Sequence, residues 1–137
     1  MTITRNMLAP LRPAARVLTG STYVLLGFDA LREPGGRVDQ AAPVLAAIRK
    51  VAPIPEDDEV VVRGNAAVQV TAGVTLALGK APRLSALILA GSLIPTTLAG
   101  HSYWAIEDPA VRKQQRIQFH KNMAMLGGLL LAVIDEP

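Results

Sequence analysis

Charge is missing from four long stretches of this chain, and no motif constrains its fold as strongly. The uncharged stretches are residues 17–28, 64–79, 84–106 and 122–134, and the third runs for 23 residues. A bilayer hydrocarbon core of about 30 Å takes about 20 helical residues at 1.5 Å each. The third stretch meets that length unaided. The others meet it when Arg16, Asp29, Arg63 and Lys121 sit at the interface or face inward. Soluble helices show charge recurring on one face with helical period, and these stretches show none. The pattern predicts an all-α protein, an integral membrane four-helix bundle, in one domain spanning residues 1–137.

The predicted helices cover about residues 13–31, 60–79, 83–104 and 112–134. Pro13 suits a first helical turn, and Pro34-Gly35-Gly36 stops the first helix. Residues 32–59 form a long polar connection. Within it residues 41–51 predict a short helix, with Val44, Leu45 and Ile48 on one side, lying on the membrane surface or packed as a loop helix. Glu56-Asp57-Asp58-Glu59 reads as a solvated linker or as the negative start of the next helix. Gly79 caps the second helix, and Pro95 falls inside the third, where neighbouring helices satisfy the freed carbonyl. The basic start at Arg5 and Arg12 resembles a signal peptide. No small-x-small cleavage site follows it, so an uncleaved first helix is expected.

Composition removes several function classes. The chain has 14 Lys and Arg against 11 Asp and Glu, a net charge of +3, and no Cys. A disulfide framework, a thiolate metal site and thiol chemistry within the chain are excluded. The two His lie on different predicted helices with no carboxylate at metal-site spacing, so no metal is expected. No phosphate-binding Gly loop, catalytic triad spacing or nucleic-acid motif is present. The positive charge belongs to helix ends and loops, which points to a lipid bilayer rather than to nucleic acid. The charge count leaves orientation open. Arg5, Arg12, Arg16, Lys80 and Arg83 stand on one side, against a larger but acid-diluted set on the other.

Up-and-down threading brings polar residues from distant positions to one membrane face. Asp29, Arg63, Asn65, Gln69, Thr97, His101, Trp104, Lys121 and Asn122 gather there. Asp29 is expected to pair with Arg63 or with Lys121, since an unpaired charge near hydrocarbon costs several kcal/mol by the general desolvation estimate. Thr97 and His101 are four apart, His101 and Trp104 three apart, and Asn65 and Gln69 four apart, so each pair shares a helix face. His101, Asn65, Gln69 and Asn122 can line one small polar pocket, which suits a quinone or another lipid head group. They can equally satisfy one another and the backbone while Trp104 anchors the interface. Small residues at Gly20/Gly27, Gly73/Ala77, Ala86/Ala90 and Ala124/Gly128 fit close helix packing in lipid and permit a homo-oligomer.

Four segments carry a family resemblance. They are Arg63-Gly64-Asn65-Ala66-Ala67-Val68-Gln69, Gly79-Lys80-Ala81-Pro82-Arg83, Pro95-Thr96-Thr97-Leu98-Ala99-Gly100-His101-Ser102-Tyr103-Trp104, and Gln118-Phe119-His120-Lys121-Asn122 through Gly127-Gly128. Together they resemble the DoxX family of small bacterial membrane proteins in its actinobacterial form, over about residues 16–135. The resemblance implies four transmembrane helices in the bacterial plasma membrane, with cytoplasmic termini. Some relatives are subunits of a thiosulfate:quinone oxidoreductase. Others are linked to oxidative-stress defence beside a superoxide dismutase and a sulfurtransferase-like protein. His120 departs from the family, whose members often carry an apolar residue there. The expected role is a non-catalytic membrane subunit or anchor with membrane or soluble protein partners and no enzyme activity of its own. The alternative is a redox subunit with quinone as its cofactor.

Overall fold

A computed structural model describes residues 8–135. Arg5, assigned above to the flank of the first helix, lies outside them. The described residues form five α-helices and no strand: α1 Leu11–Arg32, α2 Arg37–Arg49, α3 Asp58–Ala77, α4 Pro82–Gly100 and α5 Pro109–Ile134. A single 3₁₀ turn, Tyr103–Ala105, lies between α4 and α5. Among the described residues the helix count is therefore five rather than four. The additional helix is α2, within the connection, and it begins four residues before the short helix expected at 41–51.

Local chemistry explains the boundaries. Asp57 caps α3, its Oδ1 accepting from the N–H groups of Glu59 at 2.9 Å and Val60 at 3.3 Å. Asp108 caps α5 in the same way through Ala110 and Val111, and Pro109 occupies the first helical position, where no N–H is needed. α3 closes with Gly79 at φ +68°. The Gly79 N–H reaches the Leu76 carbonyl and the Lys80 N–H reaches the Thr75 carbonyl, the paired bonds of a Schellman ending. α4 ends at Gly100 rather than near 104. His101 leaves helical geometry at φ −134°, ψ 34°, and Trp104 belongs to the following turn.

Three side chains of the acidic run at 56–59 take separate roles. Asp57 is the cap, Glu59 meets Arg63 at 2.8 Å, and Asp58 meets Arg49 at 2.6 Å. Arg49 also donates to the Pro55 and Glu56 carbonyls. One guanidinium thereby ties the end of α2 to the start of α3.

Glycine sets how closely α1 and α3 approach. A Cβ on Gly20 would lie 2.4 Å from the Gly73 carbonyl oxygen, and one on Gly73 would lie 2.7 Å from that of Gly20. Further along, Gly27 meets Ala66 and Val70 at 3.0 Å. The two backbones are in contact, as small residues permit between helices in lipid. The core joins Tyr23, Ala72, Leu76, Leu89, Leu93 and Leu129, with Ala86 and Ala90 between them. α3 and α4 form the central hairpin. α1 packs chiefly on α3, α5 chiefly on α4, and α2 against α4 and α3.

The outer surface is apolar. Leu18 is 70% exposed, Leu25 67% and Leu131 66%, with Leu84, Leu87 and Ile94 also outward. Such a belt on a well-packed chain suits lipid rather than water. Three helical segments are long and apolar enough to cross a bilayer: Asp58–Ala77, Pro82–Ala105 and Pro109–Ile134. α1 is long enough but falls outside that group. Its uncharged part is only residues 17–28, and Thr19, Ser21, Thr22 and Tyr23 dilute that part further.

Candidate functional site

Several of the polar residues gathered from sequence join separate hydrogen-bonded pairs and networks, most of which link two elements.

The largest network joins α3 to α4. Gln69 Nε2 donates to Ser92 Oγ at 2.9 Å and lies 3.4 Å from Thr96 Oγ1. The Ser92 hydroxyl donates to Asn65 Oδ1 at 2.7 Å. Asn65 Nδ2 reaches Thr96 Oγ1 at 3.2 Å, and that hydroxyl donates to the Ser92 carbonyl. Gln69 and Ser92 are buried, whereas Asn65 is half-buried and Thr96 exposed, so the network opens at one edge. Ser92 and Thr96 were not among the residues picked out from sequence. Their signal was legible: both Asn65/Gln69 and Ser92/Thr96 are four apart, and antiparallel helices bring such pairs into register. Toward the other end of the hairpin, Thr75 and Ser85 bond hydroxyl to hydroxyl at 2.7 Å.

Thr97 and Asn122 join α4 to α5. Asn122 Nδ2 donates to Thr97 Oγ1 at 3.0 Å, and Thr97 is 1% exposed. His101 does not share a face with Thr97 or Trp104, because the helix has ended. Its Nδ1 lies 2.6 Å from Gln115 Oε1 instead, linking the turn to α5. Trp104 joins an aromatic cluster. Tyr103, Trp104 and Phe119 have ring centroids 5.4–5.8 Å apart in edge-to-face geometry, an arrangement that adds to the packing of apolar area.

Neither expected pairing of Asp29 forms. Arg63 bonds Glu59 and the Leu31 carbonyl, and Asp29 is exposed. Helix spacing placed Asp29 at the right height. A nearer carboxylate on Arg63's own helix, at i−4, competes better because it shortens the reach and needs no second helix. Lys121 is also exposed. With Arg116, Ile117, His120 and Ala124 it lines a shallow groove of about 540 Å³ on α5. A second groove, of about 490 Å³, runs between α3 and α4. Its walls include Ala67, Thr71, Leu84 and Ile88, and Lys80 lies at one end. Asn65, Gln69, His101 and Asn122 line neither groove.

On the opposite end of the molecule three arginines converge on one acid. Arg12 Nε lies 2.7 Å from Asp135 Oδ2, Arg16 lies 3.9 Å from it, and Arg83 donates to the Asp135 carbonyl. These contacts join the start of α1 and the start of α4 to the end of α5.

A family model decides the relationship. The DoxX model matches residues 12–102, from the start of α1 through the end of α4. The chain belongs to the DoxX family. No curated protein and no solved structure gives a significant match. The matched span takes in the central α3–α4 hairpin, its Asn65–Ser92–Gln69 network and the glycine contact between α1 and α3. With three segments fit to cross a bilayer, this DoxX chain is a multi-pass membrane protein whose surroundings are lipid.

Proposed function

We propose that this DoxX protein is a non-catalytic membrane subunit or anchor of a redox or stress-related complex in a bacterial plasma membrane. In this reading α1 is a fourth span, its Arg16 and Asp29 at the two interfaces, and both termini are cytoplasmic. One observation carries the reading. The buried polar side chains Gln69, Ser92 and Thr97 bond across helix interfaces. Gln69 with Ser92, Asn122 with Thr97 and His101 with Gln115 are what a rigid scaffold needs, since a polar group in hydrocarbon wants a partner. α5 adds support: its membrane segment is barely covered by the rest of the chain, which leaves a helix face for a partner.

A second reading, a quinone-interacting subunit, is favoured by the open edge of the α3–α4 network at Asn65 and Thr96. The second N–H of the Asn65 amide is suited to a quinone carbonyl. Purification from native membranes in mild detergent separates the two. The scaffold reading expects stoichiometric protein partners, cross-linked from α5 positions such as Leu131, and no retained quinone. Quinone retained by the wild type and lost in Asn65→Ala would overturn it in favour of the second reading.

A further inference from the structure

In the N-terminal half of α5, Arg116 and Lys121 meet no carboxylate among the described residues. We propose that the α5 groove binds an acidic phospholipid, its phosphate held by Arg116 and Lys121 beside His120 and one acyl chain lying along Ala124 and Gly128.

The argument starts from length. α5 runs 26 residues without interruption, about 39 Å at 1.5 Å per residue. Its uncharged part, residues 122–134, has 13 residues and covers only about 20 Å. That is about 10 Å short of the hydrocarbon core. The turn carrying Arg116, His120 and Lys121 is thus drawn to the hydrocarbon boundary, where a bare cation is poorly solvated.

Charge is the second step. Arg116 and Lys121 form no ion pair with any described carboxylate, and both are exposed. His120 turns its Nδ1 back to the Arg116 carbonyl of its own helix, which leaves Nε2 on the outer side. Basic pockets at this depth suit anionic head groups.

Shape is the third step. The groove that these three residues share with Ile117 ends on Ala124, on the side of the uncharged segment. Gly128 lies four residues beyond Ala124 on the same face, and neither Gly127 nor Gly128 has a neighbour within 4 Å of a would-be Cβ. The surface below the cations is therefore a smooth apolar furrow. An anionic amphiphile has that same order of charge and chain. An acidic helix from a protein partner would also meet the cations. Lipid is favoured because Arg116 and Lys121 fall within two turns of one helix, at head-group depth, which a single phosphodiester can span.

The test uses full-length protein in mild detergent at low salt, titrated with phosphatidylglycerol, phosphatidylcholine or inorganic phosphate and read by native mass spectrometry. Phosphatidylglycerol should be retained over phosphatidylcholine by about thirtyfold, from two basic residues near the surface. Arg116→Gln with Lys121→Gln should abolish the preference, and Arg116→Lys should keep most of it. Lys80→Gln, at the opposite end of the molecule, should leave it unchanged. Equal retention of the two lipids, or a preference that survives the double variant, would overturn the proposal. So would inorganic phosphate competing as well as the lipid, which would mark a free-anion site. A change of oligomeric state in the double variant without lipid preference would overturn it in favour of a protein contact.

Discussion

Gly20 and Gly73 each leave the space that the other's carbonyl oxygen fills. Their would-be Cβ atoms fall at 2.4 and 2.7 Å from backbone, not from flexible side-chain ends, so relief requires one helix to move. Gly20→Ala should destabilise by at least about 1–3 kcal/mol, the usual range for overpacking. Gly128→Ala, with open space around it, should cost nothing and tighten its helix slightly. Thermal unfolding of the two variants in the same detergent checks the contrast. Tyr23 offers a second single-residue test. It is 3% exposed and its hydroxyl has no hydrogen-bond partner among the described residues. Removing an unmatched buried hydroxyl recovers its desolvation penalty. Tyr23→Phe should leave the protein as stable or up to about 1 kcal/mol more stable; a lowered midpoint would reveal a role for the hydroxyl. The sequence marked the small residues and their spacing. It did not say that Gly20 would find Gly73, because that pairing depends on how far two separate helices slide past each other.

At the level of elements, side-chain hydrogen bonds fix the register of the α3–α4 hairpin. Gln69, Ser92 and Asn65 form a chain, so their contributions should not add. Gln69→Leu and Ser92→Ala should each lose roughly 0.5–1.5 kcal/mol, as interhelical hydrogen bonds do in lipid. The double variant should lose less than the sum, since the second change removes a partner already orphaned. Strict additivity in that cycle would show that the network is not one unit. Arg49 plays a comparable part outside the hydrocarbon. Its fork serves Asp58 and the carbonyls of Pro55 and Glu56 together. Arg49→Lys should therefore fail to rescue the loss of about 2 kcal/mol expected for Arg49→Ala, because an ammonium cannot reproduce the planar geometry. Hydrogen exchange across residues 50–57 would report it. Both caps at Asp57 and Asp108 were visible as types in the sequence. The division of the acidic run among cap, Arg49 and Arg63 was not, since it depends on where α2 comes to rest.

For the molecule as a whole, the two outer helices meet the central hairpin on different sides, and a side-chain tie joins them at one end. The tie is Asp135 with Arg12 and Arg16. These side chains are partly exposed, at 46% for Arg12 and 34% for Asp135, and exposed ion pairs contribute about 0–1 kcal/mol. Asp135→Ala should therefore shift the unfolding midpoint little, and the shift should shrink further in high salt. A large, salt-insensitive loss would mean that the end of α5 is a structural clasp. At the opposite end no such tie is present among the described residues, and α5 presents most of its length outward. That openness makes partner or lipid contact the natural completion of this chain.

The sequence by itself determined that the protein is helical and membrane-borne. Long uncharged segments admit few other folds, because backbone polar groups in lipid must be satisfied within a helix or a closed barrel. It also placed Asn65, Gln69, Thr97, His101 and Asn122 toward one side of the assembly. Only the tertiary structure decided what they do there. Helix faces are set by periodicity, but which faces meet is set by packing. Rotation and sliding about the glycine contacts distributed these residues over three joints, and left Arg116 and Lys121 facing outward.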